Sequence, residues 1–147
     1  MLRIAVNTPI NRPAQEVWDF FIDLANSSHW TRSGSELRQI SAGPLGVGAR
    51  ISSVRPMFGR EIKSQTIVVT QYEPGQLLAY TADVPLLGHT TGGFTFESIG
   101  GSTRLSRWGE LELGRAEGLF GPTLTRVLRG GWGTEMSNLK RLIEARS

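Results

Sequence analysis

The 147-residue sequence predicts an α+β fold: a curved antiparallel sheet of seven short strands wrapped around one long C-terminal helix, with short helices after the first strand. Three observations carry this. From Ser35 to Leu113 the chain reads as six short strands separated by turn residues, the pattern of consecutive antiparallel strands. Near the C-terminus, Leu124, Val127, Leu128, Trp132, Met136, Leu139, Leu142 and Ile143 recur at helical spacing. One further alternating segment stands ahead of both. A sheet with one apolar face needs a cover, and the terminal helix is the one large element that can supply it.

Each element has its own signal. Leu2, Ile4 and Val6 alternate with Arg3, Ala5 and Asn7, the period of a half-buried strand. Asn11 is a candidate cap and Pro13 fits the first turn of the helix that follows. Val17, Phe20, Phe21 and Leu24 form that helix's apolar stripe, widened by Trp18 and Ile22. Asn26-Ser27-Ser28 redirects the chain, and His29-Trp30 leads into a polar loop. The six strands are expected at 36–42, 49–54, 60–72, 77–82, 91–98 and 103–113. Gly100-Gly101 reads as a two-residue type I′ turn. The terminal helix is expected over 121–146, with Pro122 in its first turn. Gly130, Gly131 and Gly133 lie inside it at a cost of about 1 kcal/mol each. Either close approach to the sheet or a kink that makes room would offset that cost. The whole chain, 1–147, reads as one domain without repeats or linkers.

The turns alternate in character. Gly43–Gly48, Glu73-Pro74-Gly75-Gln76 and Gly100-Gly101 are compact, whereas Pro56-Met57-Phe58-Gly59 and the turn from Val84 to His89 carry bulky apolar residues. Successive hairpin turns in a meander lie at opposite ends of the sheet. Met57, Phe58, Leu86 and Leu87 therefore gather at one end, with His89 beside them, as a candidate portal. Exposed apolar groups collected at one place mark an entrance for an oily ligand or a docking surface.

Composition narrows the function classes. The net charge is +3, but the basic residues are scattered, so no nucleic-acid arm is indicated. There is no cysteine, which excludes disulfides, thiolate nucleophiles and cysteine-ligated metals. The two histidines, His29 and His89, are far apart in sequence and carry no carboxylate cluster, so neither metal nor cofactor is expected. No run approaches the length of a membrane span, and the segment from Met1 to Asn7 is too short and polar to read as a signal peptide, so a cytoplasmic location is the expectation. A homodimer is left open.

No motif names a catalytic residue. His89 is either a loop histidine or an acid–base group at the mouth. Arg107 is more informative. A two-residue turn at Gly100-Gly101 pairs Phe94 with Arg107 and Phe96 with Leu105, so Arg107 shares the covered face. A buried arginine needs a partner: Glu61, Glu135 or another carboxylate, or else a ligand. A register slip of one residue would send Trp108 inward instead. Trp30, Tyr80, Phe94, Phe96, Phe120 and Trp132, with Leu124 and Leu128 of the helix, are the other candidate ligand-binding residues. Any one aromatic among them is more often plain core than pocket wall, since aromatics dominate cores.

The segment Ile10-Asn11-Arg12-Pro13-Ala14-Gln15-Glu16-Val17-Trp18-Asp19-Phe20-Phe21, the run Pro44-Leu45-Gly46-Val47-Gly48-Ala49-Arg50, and the turns at Tyr72–Tyr80 and Gly100–Leu105 together resemble the START-like, or Bet v 1-like (SRPBCC), superfamily. The resemblance spans nearly the whole chain and is nearest to the polyketide cyclase/dehydrase and lipid-transport branch. It implies a helix-grip fold with a cavity between sheet and C-terminal helix, and a small hydrophobic ligand, polyketide-like, aromatic or lipid. It implies no catalytic residue, because the matched motifs are turns, caps and a packing tryptophan. A cyclase or dehydratase using Arg107, and an interaction module using the apolar tips, are the competing readings.

Overall fold

The computed structural model describes residues 1–31, 34–84 and 88–146, with the side chain of residue 64 set aside. Leu86 and Leu87 lie outside the described residues. The order is β1 (Leu2–Ile10), α1 (Ala14–Ile22), a 3₁₀ turn (Leu24–Asn26), α2 (Ser27–Trp30), β2 (Glu36–Gln39), β3 (Arg50–Met57), β4 (Arg60–Glu73), β5 (Leu77–Val84), β6 (Gly88–Ile99), β7 (Ser102–Leu111) and α3 (Ala116–Glu144). The seven strands form one antiparallel sheet in the order β1-β7-β6-β5-β4-β3-β2. β1 crosses over to pair with β7, and the rest is a meander.

Several local expectations change. Asn11 does not cap α1; its backbone N–H donates to Glu144 and its side chain accepts from Ser102, while Pro13 stands at the cap position in an extended conformation. At Gly100-Gly101 the φ of Gly100 is +61° and Gly101 has no positive φ, the pattern of a type II′ turn and not of type I′. The I′ pattern falls instead on the β3–β4 hairpin, at Phe58 (φ 51°) and Gly59 (φ 75°). α3 starts at Ala116, so Pro122 lies inside it and not in its first turn. Proline there donates no hydrogen bond to the carbonyl four residues back, which belongs to the exposed Gly118.

The sheet bends because β4 is irregular. Its register shifts against β3 between Ser53 and Val54, and against β5 between Val69 and Gln71. Such bulges bend a strand and increase its twist. The covered face then divides into two ends. Towards the tight turns it is solid: Trp18 meets Tyr72 and Phe96 edge-on at 5.3 and 5.1 Å, and Leu105, Met136, Leu139 and Ile143 are fully buried. Each such aliphatic side chain contributes about 1.5–3 kcal/mol by leaving water. α3 runs beside β1, anchored by Lys140 Nζ to the Pro9 carbonyl at 2.6 Å and by Arg129 Nη2 to the Ala5 carbonyl at 3.3 Å. Towards the other end the packing opens.

Candidate functional site

Between the open end of the sheet and α3 lies a cavity of about 470 Å³. Its far wall is aromatic: Phe21, Trp30, Tyr80, Phe94 and Trp132 all border it, with Leu128 on the helix side. Phe21 of α1 ties this wall together, with ring centroids 4.5 Å from Phe94 and 5.9 Å from Trp30. Trp30 is placed by a short relay. Asp23 accepts from the Ala25 N–H at 3.2 Å and starts the 3₁₀ turn. Ser27 Oγ then bonds the Leu24 carbonyl at 2.6 Å and receives the Leu37 N–H at 2.7 Å, pinning α2 to β2. Asn138 of α3 donates to the Trp30 carbonyl at 3.2 Å. The buried Trp30 Nε1 has no acceptor among the described residues.

Arg107 points inward, as its pairing with Phe94 requires, and Trp108 takes the outer face. Arg107 Nη1 donates to Glu135 Oε1 at 2.7 Å, and the two side chains are only 14% and 17% exposed. The guanidinium carbon lies 4.5 Å from the Trp132 ring centroid and 5.1 Å from that of Phe94. Such stacking on aromatic faces suits a planar delocalised cation. Arg107 Nε is buried without an acceptor among the described residues. The alternative carboxylate, Glu61, instead meets Arg38 at 2.7 Å. That hydrogen bond holds the Glu61 carboxyl below the usual carboxylate range.

Two glycines make room for this arrangement. Gly109 of β7 pairs with Gly92 of β6 on the covered face. A Cβ on Gly109 would sit 2.6 Å from the Trp132 ring, and one on Gly92 would sit 2.9 Å from the Tyr80 hydroxyl. Both aromatic side chains therefore lie directly on bare backbone. Gly109 borders the cavity without having been a candidate, because a glycine inside a strand carries no hydrophobic signal. The polar stretch of wall formed by Ser53, Arg55 and Gln65 was missed as well.

Not every candidate reaches the cavity. Phe96 belongs to the solid end, against Trp18 and Phe21. Phe120 is 58% exposed, because it lies in the part of α3 that precedes the expected start. Leu124 is half-buried and does not border the cavity. Met57 is half-buried and Phe58 is exposed at the hairpin tip. His89 pairs with Asp83 along β5–β6, out of step with Ala82 and Thr90 of the cavity wall. It is therefore on the outer face, where its Nδ1 lies 3.1 Å from Asp83 Oδ1. An acid–base role at the mouth does not fit that placement. Among the described residues no three His, Asp or Glu side chains gather to hold a metal ion, and no helix is long and apolar enough to cross a membrane.

Residues 1–144 match the family described as polyketide cyclase/dehydrase and lipid transport. The chain belongs to this family. Polyketide cyclase/dehydrase and lipid-transport proteins share the SRPBCC, Bet v 1-like fold seen here, and solved structures agree. TTHA0849 from Thermus thermophilus is 15% identical, with 97% of each chain covered and a TM-score of 0.73. The di-domain ARO/CYC BexL of the BE-7585A biosynthetic pathway is 16% identical, with 98% of this chain and 47% of that one covered and a TM-score of 0.78. Ara h 8.0201 is 10% identical, with 98% of each chain covered and a TM-score of 0.71. At these identities the likeness is one of fold. No curated protein matches the chain.

Proposed function

We propose that the protein binds a small hydrophobic ligand, polyketide-like, aromatic or lipid, in the cavity between the sheet and α3. The observation that carries this is the cavity itself: about 470 Å³, walled mainly by aromatic and aliphatic side chains around one ion pair. Ligand pockets of about 300–1,000 Å³ with few, placed polar groups are the usual form of a small-molecule site. The ion pair also bears on the ligand's charge. Glu135 offsets the Arg107 charge, so that pair itself offers no net charge to a ligand carboxylate.

A cyclase or dehydratase reading would use the same Arg107 to polarise a carbonyl. It needs a proton acceptor as well. Among the described residues the carboxylate on the covered face of the wall is Glu135, which Arg107 engages, while Glu110 borders the cavity from the outer-facing parity of β7 and bonds Arg3, so binding is the stronger reading.

The test is a titration with an environment-sensitive, uncharged naphthalene dye, read by its emission and by quenching of the tryptophan fluorescence to which Trp30 and Trp132 of the wall contribute. Ala82 is buried in the cavity wall on β5, and Val68 is exposed on the outer face of β4. Ala82→Phe should abolish dye binding while the cooperative melt is kept, and Val68→Phe should bind as wild type. Equal binding by all three proteins would remove the cavity reading.

A further inference from the structure

The end of the molecule where the cavity opens has a chemistry that extends beyond the cavity. On one lip, the β3–β4 hairpin projects Phe58, which is 97% exposed. Its φ of 51° is left-handed backbone, which asparagine, aspartate or glycine adopts far more readily. The protein bears that strain at a side chain that is almost entirely in solvent. On the opposite lip, the first turns of α3 expose Leu119 (73%) and Phe120. Arg60 and Lys63 flank the first group, with Arg55 of the cavity wall behind them, and Arg115 precedes the second; all four are exposed. Among the described residues none of them forms an ion pair. The nearby carboxylates are largely engaged: Glu61 by Arg38, Glu110 by Arg3 and Glu117 by the terminal amine. The mouth is thus ringed by apolar projections and by cations that form no close ion pair among the described residues, Lys63 feeling the charge of Glu61 only at longer range.

We propose that this end docks on the surface of an anionic lipid bilayer. Phe58 on one lip and Leu119 and Phe120 on the other enter the acyl boundary, and the four cations lie among the lipid phosphates. Long basic side chains beside buried apolar groups suit that interface, with their stems in the apolar layer and their charges at the headgroups. An acidic protein fits less well. The apolar groups stand as separate projections on two sides of an opening, not as one flat patch, and a protein interface needs a contiguous packed core. Docked this way, the mouth faces the bilayer. The proposal goes beyond the cavity reading and does not depend on which ligand fills it.

The experiment is co-sedimentation of the ligand-free protein with vesicles of phosphatidylcholine alone or mixed with phosphatidylglycerol, at low and high salt. Binding is expected to the mixed vesicles, weakened by salt, and not to neutral ones. Phe58→Asn suits the turn and should fold at least as well, yet should lower partitioning about tenfold, the loss expected for one buried aromatic ring. Arg60→Glu should lower it through charge alone. Absence of binding to the mixed vesicles, or unchanged partitioning by Phe58→Asn, would overturn the proposal. So would concentration-dependent dimerisation that Phe58→Asn abolishes while vesicles stay unbound; the tips would then hold a second copy of the chain. Dye titration of the wild type without vesicles keeps failure of the cavity separate.

Discussion

At the scale of single residues, the site depends on what glycine leaves out. Trp132 rests on the bare backbone of Gly109, and this brings its ring over Arg107 while Glu135, one turn further along α3, takes the charge. The outer face repeats the device: a Cβ on Gly93 would lie 2.9 Å from the Trp108 ring, and Arg3 sits over that ring at 5.3 Å. The Arg107–Glu135 pair is deep enough for its two halves to depend on each other. Glu135→Gln alone should destabilise by about 3 kcal/mol, because a guanidinium is left without its counter-charge between two rings. Arg107→Met combined with Glu135→Leu should cost much less than the sum of the two single changes. Urea melts of the four proteins decide it, and additive losses would mean that the pair is not coupled. Arg107's inward direction was legible, because a two-residue turn fixes register and register fixes face. Its choice of Glu135 over Glu61 was not, since that depends on how α3 lies across the sheet.

At the scale of elements, α3 and β4 depart most from the expected pattern. Close approach does not account for two of the helix glycines: a Cβ on Gly130 or Gly133 meets nothing within 4 Å. Gly130→Ala and Gly133→Ala should therefore each stabilise the protein by up to about 1 kcal/mol. A loss of stability in chemical denaturation would show that those positions require glycine. The other end of α3 is held by charge. Glu144 accepts the Asn11 N–H at 2.8 Å and the Lys140 ammonium at 2.7 Å, and these bonds, the first above all, keep its carboxyl below its ordinary range. A lowered carboxylate stabilises the fold at pH above its unfolded value, and that contribution is lost as pH falls through the folded value. Glu144→Gln should lower Tm at neutral pH, and the gap from wild type should close as the solution is acidified through the carboxylate range. A gap independent of pH would mean that the charge is not what matters. β4 was legible as a strand but not as a wall. Its inward residues Ile62, Gln65, Ile67, Val69 and Tyr72 follow no single alternation, because two register shifts change its parity.

At the scale of the whole molecule, one sheet face is used in two ways. Near the tight turns it is filled, and towards the apolar tips it encloses space. Phe21 stands at the boundary, buried against Phe96 on one side and bordering the cavity on the other. Phe21→Ala should cost about 3–5 kcal/mol and enlarge the cavity, so stability and dye affinity should change together. A change below about 1 kcal/mol would mark Phe21 as peripheral. The division into a solid and an open end was partly legible, from the alternating chemistry of the turns. Which aromatics fall on which side was not, because Phe94 and Phe96 carry the same signal in sequence and are separated only by where α1 and α3 rest. The strand order has a kinetic consequence. β1 finds its partner only in β7, with Leu2 opposite Leu111, so the earliest strand made is the last to be paired. Chain synthesis at about 5–20 residues per second leaves it waiting for seconds while the β2–β6 meander takes shape. Closure of the sheet then comes as a late, non-local step of the kind that slows folding. In pulse-labelled hydrogen exchange, the amides of β1 and β7 should gain protection together, after those of β4 and β5.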